Sequence, residues 1–243
     1  MAPTSFYSRL AAYYETIFPF SAGVYAFLRQ TIPACCRTCV DVGCGTGHYA
    51  ARLADEGVTM VAVDSDAAMV AYARQHYSQL AVECVGMQSV ATLPRLFDIT
   101  AFDAAYCIGN TAAHIPQTEL ATFLLDLAHI LRPGAVWIIQ VMNWDYVLHQ
   151  RAVTFPLITA ENDVTFYREY RDISEERVTF HTRLQSGPTV IFEDAVTLYP
   201  LRAAEIIELH SQAGFTLQQH VGNYAGAAWD ALMFSANIFV FTR

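Results

Sequence analysis

The sequence contains no lysine: all fourteen basic residues among its 243 are arginine. That excludes mechanisms built on an amine side chain, whether a Schiff base with a carbonyl substrate or the lysine of a phosphate-binding P-loop. Charge is sparse altogether, at 15% of residues against a hydrophobic fraction of 54%. A chain with that balance buries enough apolar surface to offset its conformational entropy, which excludes intrinsic disorder. Runs of positive charge are missing, and the formal net charge of −9 leaves no electrostatic footprint for a phosphate backbone, so nucleic acid is not an expected partner. No uncharged apolar run reaches membrane-spanning length, and the segment MAPTSFYSRLAAYYETIF lacks the cationic stretch, apolar core and small-residue cleavage site of a secretion signal. A soluble cytoplasmic protein without a membrane partner is expected. Its six cysteines are then reduced thiols rather than a disulfide framework. Cys36 and Cys39 have a C-x-x-C spacing, but no second pair and no histidine cluster follows, so they read as buried cysteines entering a strand and no metal is expected.

What is present is an alternation of short apolar runs and amphipathic stretches. TCVDVG at 38–43, VTMVAVD at 58–64, LAVECVG from Leu80, FDAAYCIG from Phe102 and AVWIIQVMN after the turn Arg132-Pro133-Gly134 read as strands. Between them His48 to Glu56, Ala67 to His76 and Gln117 to Leu131 read as helices. This pattern predicts an α/β, Rossmann-like, doubly wound and mainly parallel sheet. After Trp144 the texture changes, because VTFYREYRDI, RVTFHTRLQ and TVIFEDAVTLY are rich in β-branched and aromatic residues with partial two-residue alternation. They predict an antiparallel β insertion over 150–200, in the C-terminal half, covering the substrate site. A helix over Ala203 to Ala213 and strands at Phe215 to Val221 and Ala236 to Thr242 follow. The length fits a single domain, 1–243, with a helical lid at 1–33.

Glycines 43, 45 and 47 stand between the first strand and the first of those helices, where the backbone must turn sharply and admit a ligand. The spacing G-x-G-x-G is tighter than the G-x-G-x-x-G of dinucleotide-binding proteins, which argues against a nicotinamide cofactor. Asp64 ends the next strand, about twenty residues on, where a carboxylate can accept both hydroxyls of a ribose. Asp66 suits the cap of the helix that starts at Ala67. With Asp41 ahead of it, the loop resembles the first motif of class I S-adenosylmethionine-dependent methyltransferases, which implies S-adenosyl-L-methionine as cofactor. Met87 and Gln88 stand where that family often has an acidic residue after the third strand. Met87 is placed to pack on adenine and Gln88 to meet its polar edge, although a core-filling Met is nearly as apt.

CIGNTAAHIP, LRPGAVWIIQVMNWDYVL, VTLYPLRAAEIIEL and VGNY in turn resemble landmarks of glycine N-methyltransferases and their small-molecule relatives. The resemblance runs from about Val40 to the end of the chain. It implies methyl transfer to a small molecule, an amine or amino acid first and an O- or C-nucleophile second; a non-catalytic cofactor-binding relative is the reading from another class. It assigns Asn143 to holding the substrate and Tyr199 to the neighbourhood of the transferred methyl, with Trp144 replacing the family's tyrosine. The family's N-terminal arginine for the cofactor carboxylate has no match, which leaves Tyr14 and Tyr7 as the candidates there. Position at the end of the fourth strand adds Asn110, Thr111 and His114, with a structural Asn and a structural His as the plainer readings. Arg168, Arg171, Arg177 and Arg183 are candidate carboxylate binders whose facing depends on strand register.

Overall fold

The computed structural model describes residues 6–160 and 163–243. Three short helices open the chain, α1 (Phe6–Leu10), α2 (Tyr14–Ile17) and α3 (Ala22–Thr31). The alternating core follows: β1 (Thr38–Val42), α4 (His48–Asp55), β2 (Thr59–Asp64), α5 (Ala67–His76), β3 (Ala81–Cys84), α6 (Leu93–Phe97), β4 (Phe102–Cys107), α7 (Gln117–Ile130) and β5 (Leu131–Met142). Then come α8 (Trp144–Val147) and five antiparallel strands, β6 (Val153–Thr154), β7 (Ile158–Thr159), β8 (Val164–Arg171), β9 (Val178–Ser186) and β10 (Thr189–Leu198). The chain closes with α9 (Ala203–Gln212), β11 (Thr216–Val221) and β12 (Ala236–Thr242).

The main sheet has seven strands in the order β11-β12-β5-β4-β1-β2-β3, parallel from β5 to β3, with β12 antiparallel to both β5 and β11. The mainly parallel doubly wound sheet is as the sequence predicts. Its central strands are apolar on both faces because helices cover both: Val40, Val42, Val61 and Val63 enter one buried cluster, while Cys39, Met60, Ala62 and Ala104 enter another. Cys36 and Cys39 are among the buried residues, the plainer of the two readings. Arg132, Pro133 and Gly134 run within β5 instead of before it. Gly134 takes φ +80 and the register with β4 shifts between Phe102 and Ala104, so the turn signal became an irregularity inside the strand.

The strands from 153 to 198 form a second, five-stranded antiparallel sheet in the order β10-β9-β8-β6, with β7 also on β8. It has little core of its own and leans on its surroundings. Phe166, Leu184 and Phe192 pack with Phe6, Leu10, Ile17 and Met69, so the N-terminal helices lie between the insertion and α5. Ser8 donates to Asp66 at 2.6 Å, fixing the same helices by a polar contact.

Candidate active site

The parallel strands end on one side of the sheet, and two adjoining cavities open there. The smaller, of about 200 Å³, is lined by Gly43, Gly45, Asp64, Met87, Gln88 and Thr111 among others. The larger, of about 490 Å³, reaches from Asp41 and Asn110 to Phe155, Arg168 and Tyr170 on the insertion. Tyr7, Tyr14, Gly43, Gly109 and His114 line both and form the boundary.

The glycine loop leaves β1 with Gly43 at φ +75, Gly45 at +55 and Gly47 at +80, left-handed conformations in which a side chain is strained. A Cβ on Gly43 would stand 2.2 Å from Cγ2 of Thr111, and one on Gly45 would stand 3.4 Å from the Tyr14 ring. Both glycines therefore permit a close approach. Gly47 serves the turn instead: it lines neither cavity, begins α4, and its absent Cβ would meet Leu80 at 2.9 Å. Asp64 accepts from the backbone N–H of Gly45 with one carboxylate oxygen and from that of Asp66 with the other, both at 2.8 Å. With the Ser65 N–H also close to this carboxylate, at least one lone pair stays free for a ligand hydroxyl. Asp66 caps α5, its Oδ1 accepting from Ala68 at 2.9 Å and Met69 at 3.1 Å.

Asp41 is 3% exposed and its Oδ1 has no hydrogen-bond partner among the described residues. Burial pushes its carboxyl up to about 8, so the acid is mainly protonated at neutral pH. Asn110 sits at φ +65 at the end of β4, and its Oδ1 accepts from the Met142 N–H at 2.9 Å, tying β4 to β5 beneath the larger cavity. Gln140 was missed from the sequence. It is a buried polar side chain in an otherwise apolar strand, its Oε1 accepts from Gly109 at 2.7 Å, and it lines the larger cavity. The signal was available, since a lone glutamine in AVWIIQVMN interrupts the apolar run near the strand's carboxyl end.

His114 and Tyr7 meet across the boundary, Tyr7 Oη to His114 Nε2 at 2.8 Å, with the rings edge to face. Burial lowers the imidazole to about 4 and raises the phenol, so at neutral pH both partners of this hydrogen bond are uncharged. Asn143 and Tyr199 lie outside the lining of both cavities. Asn143 is fully buried, and its amide donates to the carbonyls of Asp230 at 2.8 Å and Met233 at 2.9 Å, so its side chain turns into the loop before β12. Tyr199 is half-buried and follows Leu198, which does line the larger cavity; its own N–H donates to Ala113 at 2.7 Å.

The insertion arginines separate by strand parity. Arg168 shares a face of β8 with Phe166 and Tyr170 and lines the cavity. Arg183 lies over the ring of Tyr167, and Arg171 is paired with Glu169, both on the opposite face. Arg177 is exposed in the preceding turn.

A cradle of glycines, a buried acid with one unpartnered oxygen at its base and a carboxylate with a free lone pair at its side fit a nucleoside joined to a cationic amino-acid tail. Known proteins agree with that chemistry. Residues 39–134 match the family model of a methyltransferase domain. Glycine N-methyltransferase of Rattus norvegicus is 32% identical over 125 residues, and that of Homo sapiens 31% over 127; either match covers 46% of this chain and 43% of the relative. The match therefore spans less than half the length of these curated relatives. Among solved structures, an S-adenosylmethionine-dependent methyltransferase from Clostridium acetobutylicum has a TM-score of 0.77 at 14% identity, covering 98% of this chain and 99% of that one. A sugar N-methyltransferase from Streptoalloteichus has a TM-score of 0.72 at 21% identity, covering 100% and 94%. An S-adenosylmethionine-bound amino pentose methyltransferase from Micromonospora echinaspora has a TM-score of 0.70 at 19% identity, covering 96% and 95%. Residues 39–134 thus match a methyltransferase domain, and the chain shares the fold of these S-adenosylmethionine-dependent methyltransferases.

Proposed function

We propose, from the premise of a methyltransferase domain on this fold, that the chain transfers a methyl group from S-adenosylmethionine to the amine of a small molecule. The observation that carries the reading is the join between the two cavities: the glycine loop faces the smaller one, the insertion roofs the larger, and Tyr7, Tyr14 and His114 stand where they meet. When bound, the cofactor supplies a methyl group on a cationic sulfur, open to in-line displacement. Asp64 would hold its ribose, Gly43 and Gly45 would lie against its body, Met87 and Gln88 would border its base, and the carboxyl of Asp41 would meet its cationic tail.

The remaining work is positioning and exclusion of water. Tyr14 and the Tyr7–His114 pair close the boundary from the N-terminal side, which makes α1 and α2 a lid. Burial raises the Tyr14 phenol, and the nearby Asp64 and Asp41 raise it further, so Tyr14 offers a neutral hydroxyl beside the reacting centre. A neutral imidazole and neutral phenols leave the acceptor nitrogen its lone pair, and proton release to solvent suffices. Asn143 and Tyr199 act on the acceptor through the loops they anchor. The aminosugar and glycine N-methyltransferases among the similar proteins support nitrogen as the nucleophile.

The test is calorimetric titration with S-adenosylmethionine, S-adenosylhomocysteine and NAD in parallel, followed by release of S-adenosylhomocysteine in a screen of amines and their hydroxyl analogues. One-site binding of the first two and turnover on amines is expected. Binding of NAD alone, or turnover confined to hydroxyl acceptors, would overturn the reading.

A further inference from the structure

The larger cavity is lined by many aromatic rings and, among the described residues, by one fixed positive charge. The guanidinium of Arg168 lies 5.0 Å from the ring centre of Phe155, 5.7 Å from that of Phe18 and 5.9 Å from that of Phe166. Its terminal nitrogen donates to the Pro156 carbonyl at 3.1 Å. Its Nε is buried and has no hydrogen-bond partner, and no carboxylate among the described residues forms an ion pair with it. Burial lowers this guanidinium's affinity for its proton, which is the sign of a charge not compensated from within the protein. The other insertion arginines differ: Arg171 is paired with Glu169, and Arg183, whose Nε is also buried without a partner, lies over Tyr167 on the opposite face. The facing of β8, with Phe166, Arg168 and Tyr170 inward, places this one charge in the acceptor cavity.

An unpaired, half-desolvated guanidinium costs free energy unless an anion meets it, and a planar fork with donors to spare suits a carboxylate. We infer that Arg168 is the anion-recognising residue of the acceptor site, and that the acceptor is a carboxylate with an aromatic or branched apolar body. The inference rests on the methyl-transfer reading of that cavity. A single monovalent cation matches a carboxylate, whereas a phosphate dianion would want more positive charge than Arg168 alone brings. Phe155, Phe166, Tyr170 and Phe180 line the same region and favour an apolar body over a polyhydroxylated ring. A volume of about 490 Å³ holds far more than a two-carbon amino acid.

The experiment uses the full chain saturated with S-adenosylhomocysteine and titrated calorimetrically with 3-phenylpropionate, its isosteric amide 3-phenylpropionamide, and phenylphosphonate. The carboxylate is expected to bind at least ten-fold more tightly than the amide and more tightly than the phosphonate. In Arg168→Gln that preference falls below two-fold, and Arg168→Lys restores part of it. Arg168→Met is expected to keep or raise the Tm of the unliganded protein, because it removes an uncompensated charge while still packing on the three phenylalanines; a strut holding the insertion would show a lower Tm instead. Equal binding of acid and amide, no binding of the acid at tens of millimolar, tighter binding of the phosphonate, or a preference that survives in Arg168→Gln would each overturn the proposal. Saturation with S-adenosylhomocysteine is read first, so its failure would overturn the methyl-transfer reading itself.

Discussion

Gly43 shows how little room a single residue has at this site. Adding a Cβ sets two costs together, a left-handed φ of +75 and a 2.2 Å contact with Thr111, whose hydroxyl is already engaged with the Ile108 carbonyl at 2.8 Å. The strain and the overpacking are each worth about 1–3 kcal/mol. Gly43→Ala is therefore expected to lower the Tm by several degrees and to weaken S-adenosylhomocysteine binding at least ten-fold, read by thermal melting and calorimetry on one preparation. Unchanged affinity would mean that the loop does not approach the cofactor. Asn143 gives the opposite expectation. Removing its amide takes the donor from the carbonyls of Asp230 and Met233, two hydrogen bonds worth about 0.5–1.5 kcal/mol each, while neither cavity loses a wall. Asn143→Ala should thus lose stability and keep its affinity for S-adenosylhomocysteine; a ten-fold loss of that affinity would show that the loop Asn143 anchors supports the cofactor site. These residues also mark what could be read in advance. The glycines and Asp64 were legible because turn geometry and strand ends constrain residue type. The surroundings of Asn143, the role of Gln140 and the meeting of Tyr7 with His114, 107 positions apart, depend on tertiary contacts that no local pattern encodes.

Among the elements, α1 depends on its neighbours, since five residues hold no helix in isolation. Phe6 and Leu10 bury against the insertion and α5, and Ser8 reaches the same Asp66 that caps α5. α1 is thereby tied to the N-terminus of α5. Ser8→Ala removes that tie, a hydrogen bond to a charged group worth about 1.5–3 kcal/mol, and leaves the apolar contacts in place, so the loss falls on local opening of the N-terminal segment rather than on global unfolding. The expected result is earlier cleavage of the N-terminal segment in limited proteolysis and a raised KM for acceptor, with the Tm nearly unchanged. A global fall in Tm would show that the segment belongs to the core and is no lid. The element pattern itself was legible almost throughout. Strand and helix boundaries follow the apolar periodicity to within a residue or two, and the change of texture after Trp144 did mark a second sheet. The exception, Arg132-Pro133-Gly134 inside β5, arises because β5 forms its own edge contacts there: Gly134 donates to the Arg243 carbonyl at 2.7 Å, so a tertiary partner extended the strand through a turn signal. The facing of the four insertion arginines could not be fixed from sequence, since a shift of one residue reverses every side chain.

At the scale of the whole molecule, burial of titratable groups makes stability depend on pH in two opposed ways. His114 and His210 are both lowered by burial to about 4 from an ordinary 6.5. His210 is fully buried, accepts from the Trp137 indole at 2.9 Å and packs flat on Phe241, so the folded state keeps it neutral. Below pH 6.5 the unfolded chain takes up protons that these two histidines refuse when folded, so their stabilising contribution is present above 6.5 and is lost as pH falls toward 4. Asp41 acts in the reverse sense. Its carboxyl is raised from 3.8 to about 8, so its contribution is full below 3.8 and declines as pH rises through 8, by about 1.4 kcal/mol per pH unit. Between 4 and 6.5 the two histidines outweigh the one acid and stability rises with pH; between 6.5 and 8 only the acid's term remains and stability falls. His48 and His220 are also lowered by burial and add to the acid limb. The unliganded protein should therefore melt highest near pH 6.5. Asp41→Asn removes the largest alkaline term, and its Tm should stay nearly level from pH 6.5 to 8 where that of the parent declines. A parent Tm that climbs through this interval would mean that Asp41 is ionised in the folded state, already paired, and unavailable to meet the cationic tail of a cofactor.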